Sequence, residues 1–468
     1  MSNSEKYDFV IIGGGSAAFA GAMKASDFGE KVAMIERGTI GGTCVNVGCV
    51  PSKNMLHVGE VYFYEDHNHK GIELTRGSFR LRSVVKAKDD LVLDQRTKKY
   101  ANVLDGLENT TFFPGTAKFV SRNEVKVNGK RITGRHFLIA TGSSPKIPPV
   151  QGIDKVDYLT NVEMLDLKKR PKSLLVIGGR ALGLEFAQMY AHYGTDVTVL
   201  QRSEKILPEG EPEISVWLKV YLEEEGIKIH TGAGITRVRQ KGEKKIVDAK
   251  IGDKTKQFEA DALLLATGRV PNTKSLGLEA IGVKLKKDGA VSVDDQMRTS
   301  IPNIWAAGDV IGEPMLEPAA AKEGATAAMN AFKGAGKRID FNVIPSAVFT
   351  SPQVASVGLT DAQAYKGGIK CQCGIVPMSL LPKANVVGKT RGVIKLVADT
   401  KTKRIVGCHI LAEDATEIIH EAVLAVKYKL TVDDIIDTVH VFPTMSEAMK
   451  YAAISYYKDV SKISCCSE

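Results

Sequence analysis

The chain is predicted to be an α/β protein, with two parallel-sheet units followed by a C-terminal α+β unit. Three observations lead there. A run of strand, glycine turn, helix and strand starts at residue 7, the same run repeats from residue 174, and beyond residue 343 strand and helix patterns continue without a further glycine turn. A length of 468 residues suits about three domains. With 44% hydrophobic and 25% charged residues, the composition is that of a globular protein and excludes disordered, collagen-like and coiled-coil chains. Glycine stands out at 44 residues, roughly 9% against a usual share of about 7%, and much of the excess is clustered.

The first run opens on the apolar strand 7–12, enters Gly13-Gly14-Gly15-Ser16-Ala17-Ala18 and continues into an alanine-rich helix. Glycine lets the backbone approach a pyrophosphate at the helix N-terminus, where free N–H groups and the helix dipole favour negative charge. The next strand, 32–35, leads to Glu36, about 20 residues beyond the glycines, where a carboxylate can bond a ribose hydroxyl. The second run comprises strand 174–177, the turn Gly178-Gly179-Arg180-Ala181-Leu182-Gly183, helix 184–193 and strand 196–200. Its last strand ends in Gln201-Arg202 instead of an acid. A carboxylate would repel a 2′-phosphate whereas Arg202 can pair with one, so NADPH is favoured over NADH. Arg180, at the middle glycine position, either crowds the turn or contacts a phosphate itself.

Two Rossmann-like dinucleotide-binding domains in one chain imply two cofactors exchanging electrons, a flavin and a nicotinamide. Strand 137–139 ends in Ala140-Thr141-Gly142, and strand 262–265 ends in Ala266-Thr267-Gly268-Arg269. Ile304-Trp305-Ala306-Ala307-Gly308-Asp309 is a further strand ending in glycine and a carboxylate suited to a ribityl hydroxyl. In the last unit, strands 346–349, 392–398 and 405–411 precede helices 415–429 and 446–457, an arrangement suited to a subunit interface.

Lys+Arg of 63 against Asp+Glu of 54 gives +9, interleaved along the chain, which argues against a nucleic-acid partner. The polar start runs straight into a strand, and no apolar run approaches the roughly 18 residues of a membrane span, so a soluble, cytoplasmic protein is expected. The seven cysteines are an odd number and no disulfide scaffold. Cys44-x4-Cys49 and the adjacent Cys465-Cys466 are the unusual spacings, and in a reducing compartment they read as redox or soft-metal chemistry. Cys371-Gln372-Cys373 has the look of a chelating pair but is expected on an exposed loop without a role, and Cys408 is expected as a buried small hydrophobe in a strand.

The stretch Gly41-Gly42-Thr43-Cys44-Val45-Asn46-Val47-Gly48-Cys49-Val50-Pro51-Ser52-Lys53 follows closely on Glu36. Residues five apart lie about 140° apart around an ideal helix, so bridging these cysteines requires distortion at the helix start. A pair facing the helix dipole also forms thiolate easily. This segment closely resembles the redox-active motif of the flavoprotein disulfide reductases, the class I pyridine nucleotide-disulfide oxidoreductases, and the resemblance extends over nearly the whole chain. It implies FAD and NADPH as cofactors, a discontinuous FAD-binding domain of 1–150 and 272–342, an NADPH-binding domain of 151–271 and a dimerisation domain of 343–468. It also implies roles. Cys49 is the thiolate against the flavin, Cys44 the interchange thiol, Lys53 the lysine beside the flavin and Glu185 its partner near the nicotinamide. Gly13, Gly15, Ala18, Glu36, Gly38, Thr43, Ala117, Gly142 and Asp309 fall at FAD-contacting positions, and Gly14, Ser16, Ala17, Gly42, Thr141 and Glu317 join them as expected FAD contacts. Gly178, Gly179, Arg180, Gly183, Arg202 and Gly268 are expected at the NADPH site.

Disulfide-reducing members of this family carry a histidine base before a proline near the C-terminus, with a glutamate that orients it. Here the stretch reads His440-Val441-Phe442-Pro443-Thr444-Met445-Ser446-Glu447, so Phe442 stands where the base would be. A phenyl ring carries no proton, and acid-base work of this kind typically contributes about 10²- to 10⁴-fold. The ending Cys465-Cys466-Ser467-Glu468 is similar to that of the mercuric reductase branch, whose tail pair passes Hg(II) to the redox pair of the other subunit. The resemblance therefore implies a homodimer that reduces Hg(II), held in turn by Cys465/Cys466 and Cys44/Cys49, with Hg(II) arriving as thiol complexes. A dihydrolipoamide dehydrogenase-like reductase and a flavoprotein that sequesters soft metals without reducing them are the alternatives. Since the first glycine turn begins at residue 13, the additional N-terminal metal-binding domain of some branch members is not expected.

Overall fold

The computed structural model describes residues 5–64, 71–72, 75 and 77–464. Its chain divides into two units. The first gathers Met1–Met55, Arg82–Lys146 and Thr267–Phe341; the second gathers Leu56–Leu81, Ile147–Ala266 and Asn342–Glu468.

In the first unit, β1 (Glu5–Ile12), β2 (Val32–Glu36) and β3 (Thr110–Pro114) run parallel, and the antiparallel β4 (Ala117–Ser121) and β5 (Glu124–Val127) join them through β6 (Lys130–Ile139) in the order β3-β2-β1-β6-β5-β4. Strand Ile304–Ala306 adds in parallel to β6. Phe9, Val10, Ile11 and Phe137 are fully buried, as expected for central parallel strands covered on both faces. Helix α1 (Ser16–Ser26) crosses helix Glu317–Lys333 on small residues. A Cβ on Gly324 would stand 2.0 Å from the Ala17 carbonyl oxygen, so only glycine permits this approach.

The second unit contains a parallel sheet in the order Lys228–His230, Asp196–Leu200, Ser173–Ile177, Ala262–Leu265. It also holds an antiparallel meander of Ala233–Lys241, Lys244–Ile251 and Lys254–Ala260, whose tight turns use Gly242 and Gly252 at positive φ of 60° and 58°. Its five-stranded sheet runs Ser346–Val348, Gln353–Gly358, Ile405–Ala412, Val393–Asp399, Cys371–Pro377. Ile394, Leu396, Cys408 and Ile410 pack with Ile418 and Met449 of helices Ala415–Tyr428 and Glu447–Ile454.

The sequence expectation for 446–457 overshoots: the helix ends at Ile454 and continues only as turns. The helix expected over 415–429 stops at Tyr428, where Lys429 takes a left-handed cap at φ 59°. The loop expected around Cys371 is wrong, because that pair sits in an edge strand and is half-buried. Among the described residues, no helix is long and apolar enough to cross a membrane.

Candidate active site

The first glycine turn is built by close approach. Gly13 has φ 130°, and a Cβ there would lie 2.1 Å from the Ala140 carbonyl oxygen. A Cβ on Gly42, at φ 64°, would meet the Gly15 Cα at 2.7 Å, so the two glycine loops touch through backbone. Beside them lie two cavities of about 470 and 440 Å³ that share Glu36, Arg37, Thr141 and Asn272. Gly13 and Ala117 line the first; Gly15, Ser16, Ala17, Gly42, Thr43, Gly142, Asp309 and Glu317 line the second, together with Cys44 and Cys49. Ala18 is fully buried beneath the turn, and Gly14 backs onto Glu36. Glu36 accepts the Gly38 N–H at 2.6 Å, which fixes the carboxylate at the end of β2.

The cysteine motif is not one helix. Helix α2 (Gly42–Val47) and helix α3 (Cys49–Tyr64) are separated at Gly48, with φ −127° and ψ −115°, where a Cβ would stand 2.9 Å from the Thr43 carbonyl oxygen. That break supplies the distortion an unbroken helix would have denied the pair. Both cysteines are free thiols, and Cys44 hydrogen-bonds Cys49. The bond drives the Cys44 thiol far up and the Cys49 thiol down, and Lys53 one turn along α3 favours the anion on Cys49 further. Of the two, Cys49 is therefore the readier to ionise and Cys44 holds its proton more firmly. Glu317 opposes ionisation of both.

Three residues in this unit escaped sequence reasoning. Ser143 donates its hydroxyl to Asp309 at 2.5 Å, and Arg269 donates from Nε to Ser143 at 2.6 Å while lying 3.7 Å from the Asp309 carboxylate. Burial lowers the Arg269 pKa, but the guanidinium remains the countercharge that orients Asp309. Glu323, buried on helix Glu317–Lys333, accepts the Gly308 N–H at 2.6 Å and so braces the turn that carries Asp309. Arg269 had a signal, the Gly268-Arg269 step after strand Ala262–Leu265; Ser143 acts across 166 positions, which leaves none, and Glu323, only 15 positions from Gly308, is marked by its burial rather than by spacing.

In the second unit the turn repeats. Gly178 has φ 120° with the Ala266 carbonyl oxygen 2.2 Å from its would-be Cβ, and a Cβ on Gly183 would fall 1.9 Å from the Gly178 carbonyl oxygen. Gly179 donates its N–H to the buried Gln201 side chain at 2.8 Å, so Gln201 serves the turn, and Arg202 beyond it is exposed. Arg180 stands at the N-cap position of helix Ala181–His192 and forms an ion pair with Glu209. Gly268, at φ 99°, belongs to the first unit. Glu185 is buried and accepts the Phe349 N–H at 2.9 Å. Phe442 is half-exposed, and the buried Glu447 accepts the Thr444 N–H at 3.2 Å. His440 donates from Nδ1 to the Thr438 carbonyl at 2.9 Å and holds Glu421 at 3.0 Å through Nε2, so both ring nitrogens are engaged. Cys465 and Cys466 lie outside the described residues.

Residues 7–324 match the pyridine nucleotide-disulphide oxidoreductase family, and residues 344–453 match its dimerisation domain. The chain belongs to this family. FAD and NADPH are the cofactors of the oxidoreductase. The glycine-lined double cavity, with Glu36 at its junction and Cys49 and Asp309 in its second part, fits an extended dinucleotide. The mercuric reductase of Lysinibacillus sphaericus is 44% identical over 100% of the oxidoreductase and 86% of its own length. That of Bacillus cereus is 45% identical over 98% and 73%. Dihydrolipoyl dehydrogenase 1 of Arabidopsis thaliana is 37% identical over 97% and 91%. Among solved structures, the HOCl-induced flavoprotein disulfide reductase RclA from Escherichia coli superposes with a TM-score of 0.86 at 30% identity, covering 96% of this chain and 99% of that one.

Proposed function

We propose that the oxidoreductase is a mercury(II) reductase, acting as a homodimer with an FAD-binding domain of 1–150 and 272–342, an NADPH-binding domain of 151–271 and a dimerisation domain of 343–468. One observation carries this reading: a hydrogen-bonded cysteine pair, with Cys49 the readier to ionise, coexists with Phe442 in place of a proton-carrying base, in a chain 44% identical to a mercuric reductase. Disulfide substrates leave as thiols and need a proton donor, whereas a metal ion needs thiolate ligands and electrons. His440 lies two residues before that position, with its ring held by the Thr438 carbonyl and Glu421.

Cys44, the interchange thiol, and Cys49, whose ionisation Cys44 and Lys53 favour, take Hg(II) between them. Each thiol proton leaves to solvent as its sulfur bonds the ion. Bound FAD and NADPH supply the electron pair that turns Hg(II) into Hg(0). Glu36 and the glycine turn hold the FAD, with Asp309 kept in register by Ser143 and Arg269. The exposed Arg202 selects the 2′-phosphate of NADPH. Cys465 and Cys466 of the partner subunit receive Hg(II) from its thiol complexes and pass it on by thiolate exchange. The test is NADPH oxidation and Hg(0) release, compared between the intact protein, Cys44→Ala and a chain truncated before Cys465. Hg(II)-dependent oxidation is expected in the intact protein, is lost in Cys44→Ala and requires more Hg(II) after truncation. Oxidation indifferent to Hg(II), or robust lipoamide turnover by the intact protein, refutes the reading.

A further inference from the structure

Cys371 and Cys373 occupy strand Cys371–Pro377, the edge of the five-stranded sheet. Residues two apart on a strand project from the same face, so both sulfurs stand side by side, half-buried yet at an edge that solvent reaches. The Cys371 thiol points to the Asp361 carbonyl oxygen at 3.9 Å. On the same side lies the buried Lys395, whose Nζ is held by Glu211 at 2.9 Å, Glu213 at 2.9 Å and Asp361 at 2.7 Å. Three carboxylates thus face one ammonium, an arrangement with an anionic excess. The buried His409 lies 3.8 Å from Glu211, and its Nδ1 finds no hydrogen-bond partner among the described residues.

We infer that Cys371 and Cys373 form a second thiol site that takes up a soft, two-coordinate cation, Hg(II), apart from the Cys44/Cys49 pair. Two sulfurs suffice for an ion that prefers linear thiolate coordination. An ion such as Zn(II) demands about four ligands. No group of three or more His, Cys, Asp or Glu among the described residues is placed to hold a metal, so the pair suits the first kind of ion and fails the second. The neighbouring carboxylates favour an incoming cation. The step balances as two thiols plus Hg(II) giving one bis-thiolate complex and two protons, with no redox change. The inference rests on the mercury reading only for the choice of ion.

The test uses the FAD-loaded protein without NADPH, so that failure to bind and failure to reduce are separate results. HgCl2 is titrated in the presence of excess glutathione, and alkylation by iodoacetamide is mapped at each cysteine by mass spectrometry. Protection of Cys371 and Cys373 together, at the same Hg(II) equivalent, is the expected result. Retained mercury after gel filtration is expected to fall by one ion per chain in C371S/C373S and equally in C371S, since one thiolate cannot chelate. Unchanged alkylation of both cysteines, or equal retention by the parent and C371S/C373S, overturns the inference. Loss of Hg(II)-dependent NADPH oxidation with this binding intact would instead refute the proposed function alone.

Discussion

Replacing Glu323 by glutamine should flatten the pH dependence of stability in the FAD-binding unit. Glu323 is 1% exposed, one carboxylate oxygen accepts the Gly308 N–H at 2.6 Å and the other has no partner among the described residues. Burial, reinforced by Asp309 and opposed by the Gly308 N–H and Lys286, pushes its pKa from 4.5 up to about 7. A folded-state value above the unfolded one means the fold favours the protonated acid. That contribution is complete below about pH 4.5 and is lost as pH rises through about 7, a difference of about 3 kcal/mol at pH 8. Glutamine retains an oxygen to accept the Gly308 N–H and never ionises. E323Q should therefore match the parent near pH 4.5 and exceed its stability by up to about 3 kcal/mol at pH 8. Denaturant midpoints followed by release of flavin fluorescence between pH 4.5 and 8.5 measure this. Parallel profiles for the two proteins would show that Glu323 does not titrate in this range and refute the reasoning.

Gly183→Ala places a methyl group 1.9 Å from the Gly178 carbonyl oxygen, so NADPH affinity measured by calorimetry should collapse while FAD content is retained; unaltered affinity would sink the assignment of this turn. Lys395→Met strips the ammonium from Glu211, Glu213 and Asp361, and chemical denaturation should show a loss of about 3–5 kcal/mol, partly restored by adding Glu211→Gln. Lys53→Met leaves the Cys44 hydrogen bond but removes the charge that favours the Cys49 anion. The pH midpoint of Cys49 alkylation should rise by roughly 1 unit, and an unmoved midpoint would exclude the Lys53 contribution.

What local order dictates was legible in the chain itself. The two glycine turns, their flanking strands, Glu36 and the cysteine motif all depend on residues within about 20 positions of one another, where spacing alone sets the backbone. Phe442 in place of a base was equally plain, since an absent functional group needs no geometry. Tertiary structure decided the rest. The break at Gly48 between α2 and α3 turns an unfavourable helical spacing into a hydrogen-bonded pair of thiols of unequal acidity. Ser143 reaches Asp309 across 166 positions, and Lys395 reaches Glu211 across 184. Cys371 and Cys373 looked like loop residues because a strand at a sheet edge, half-covered and half-solvated, lacks the apolar run of the buried strands beside it. Chemistry carried by neighbours in the chain can be read from order and spacing, but burial and charge pairing are set largely by residues distant in sequence, and these determine which carboxyl holds its proton and how the Gly48 break lets one sulfur ionise more readily than the other.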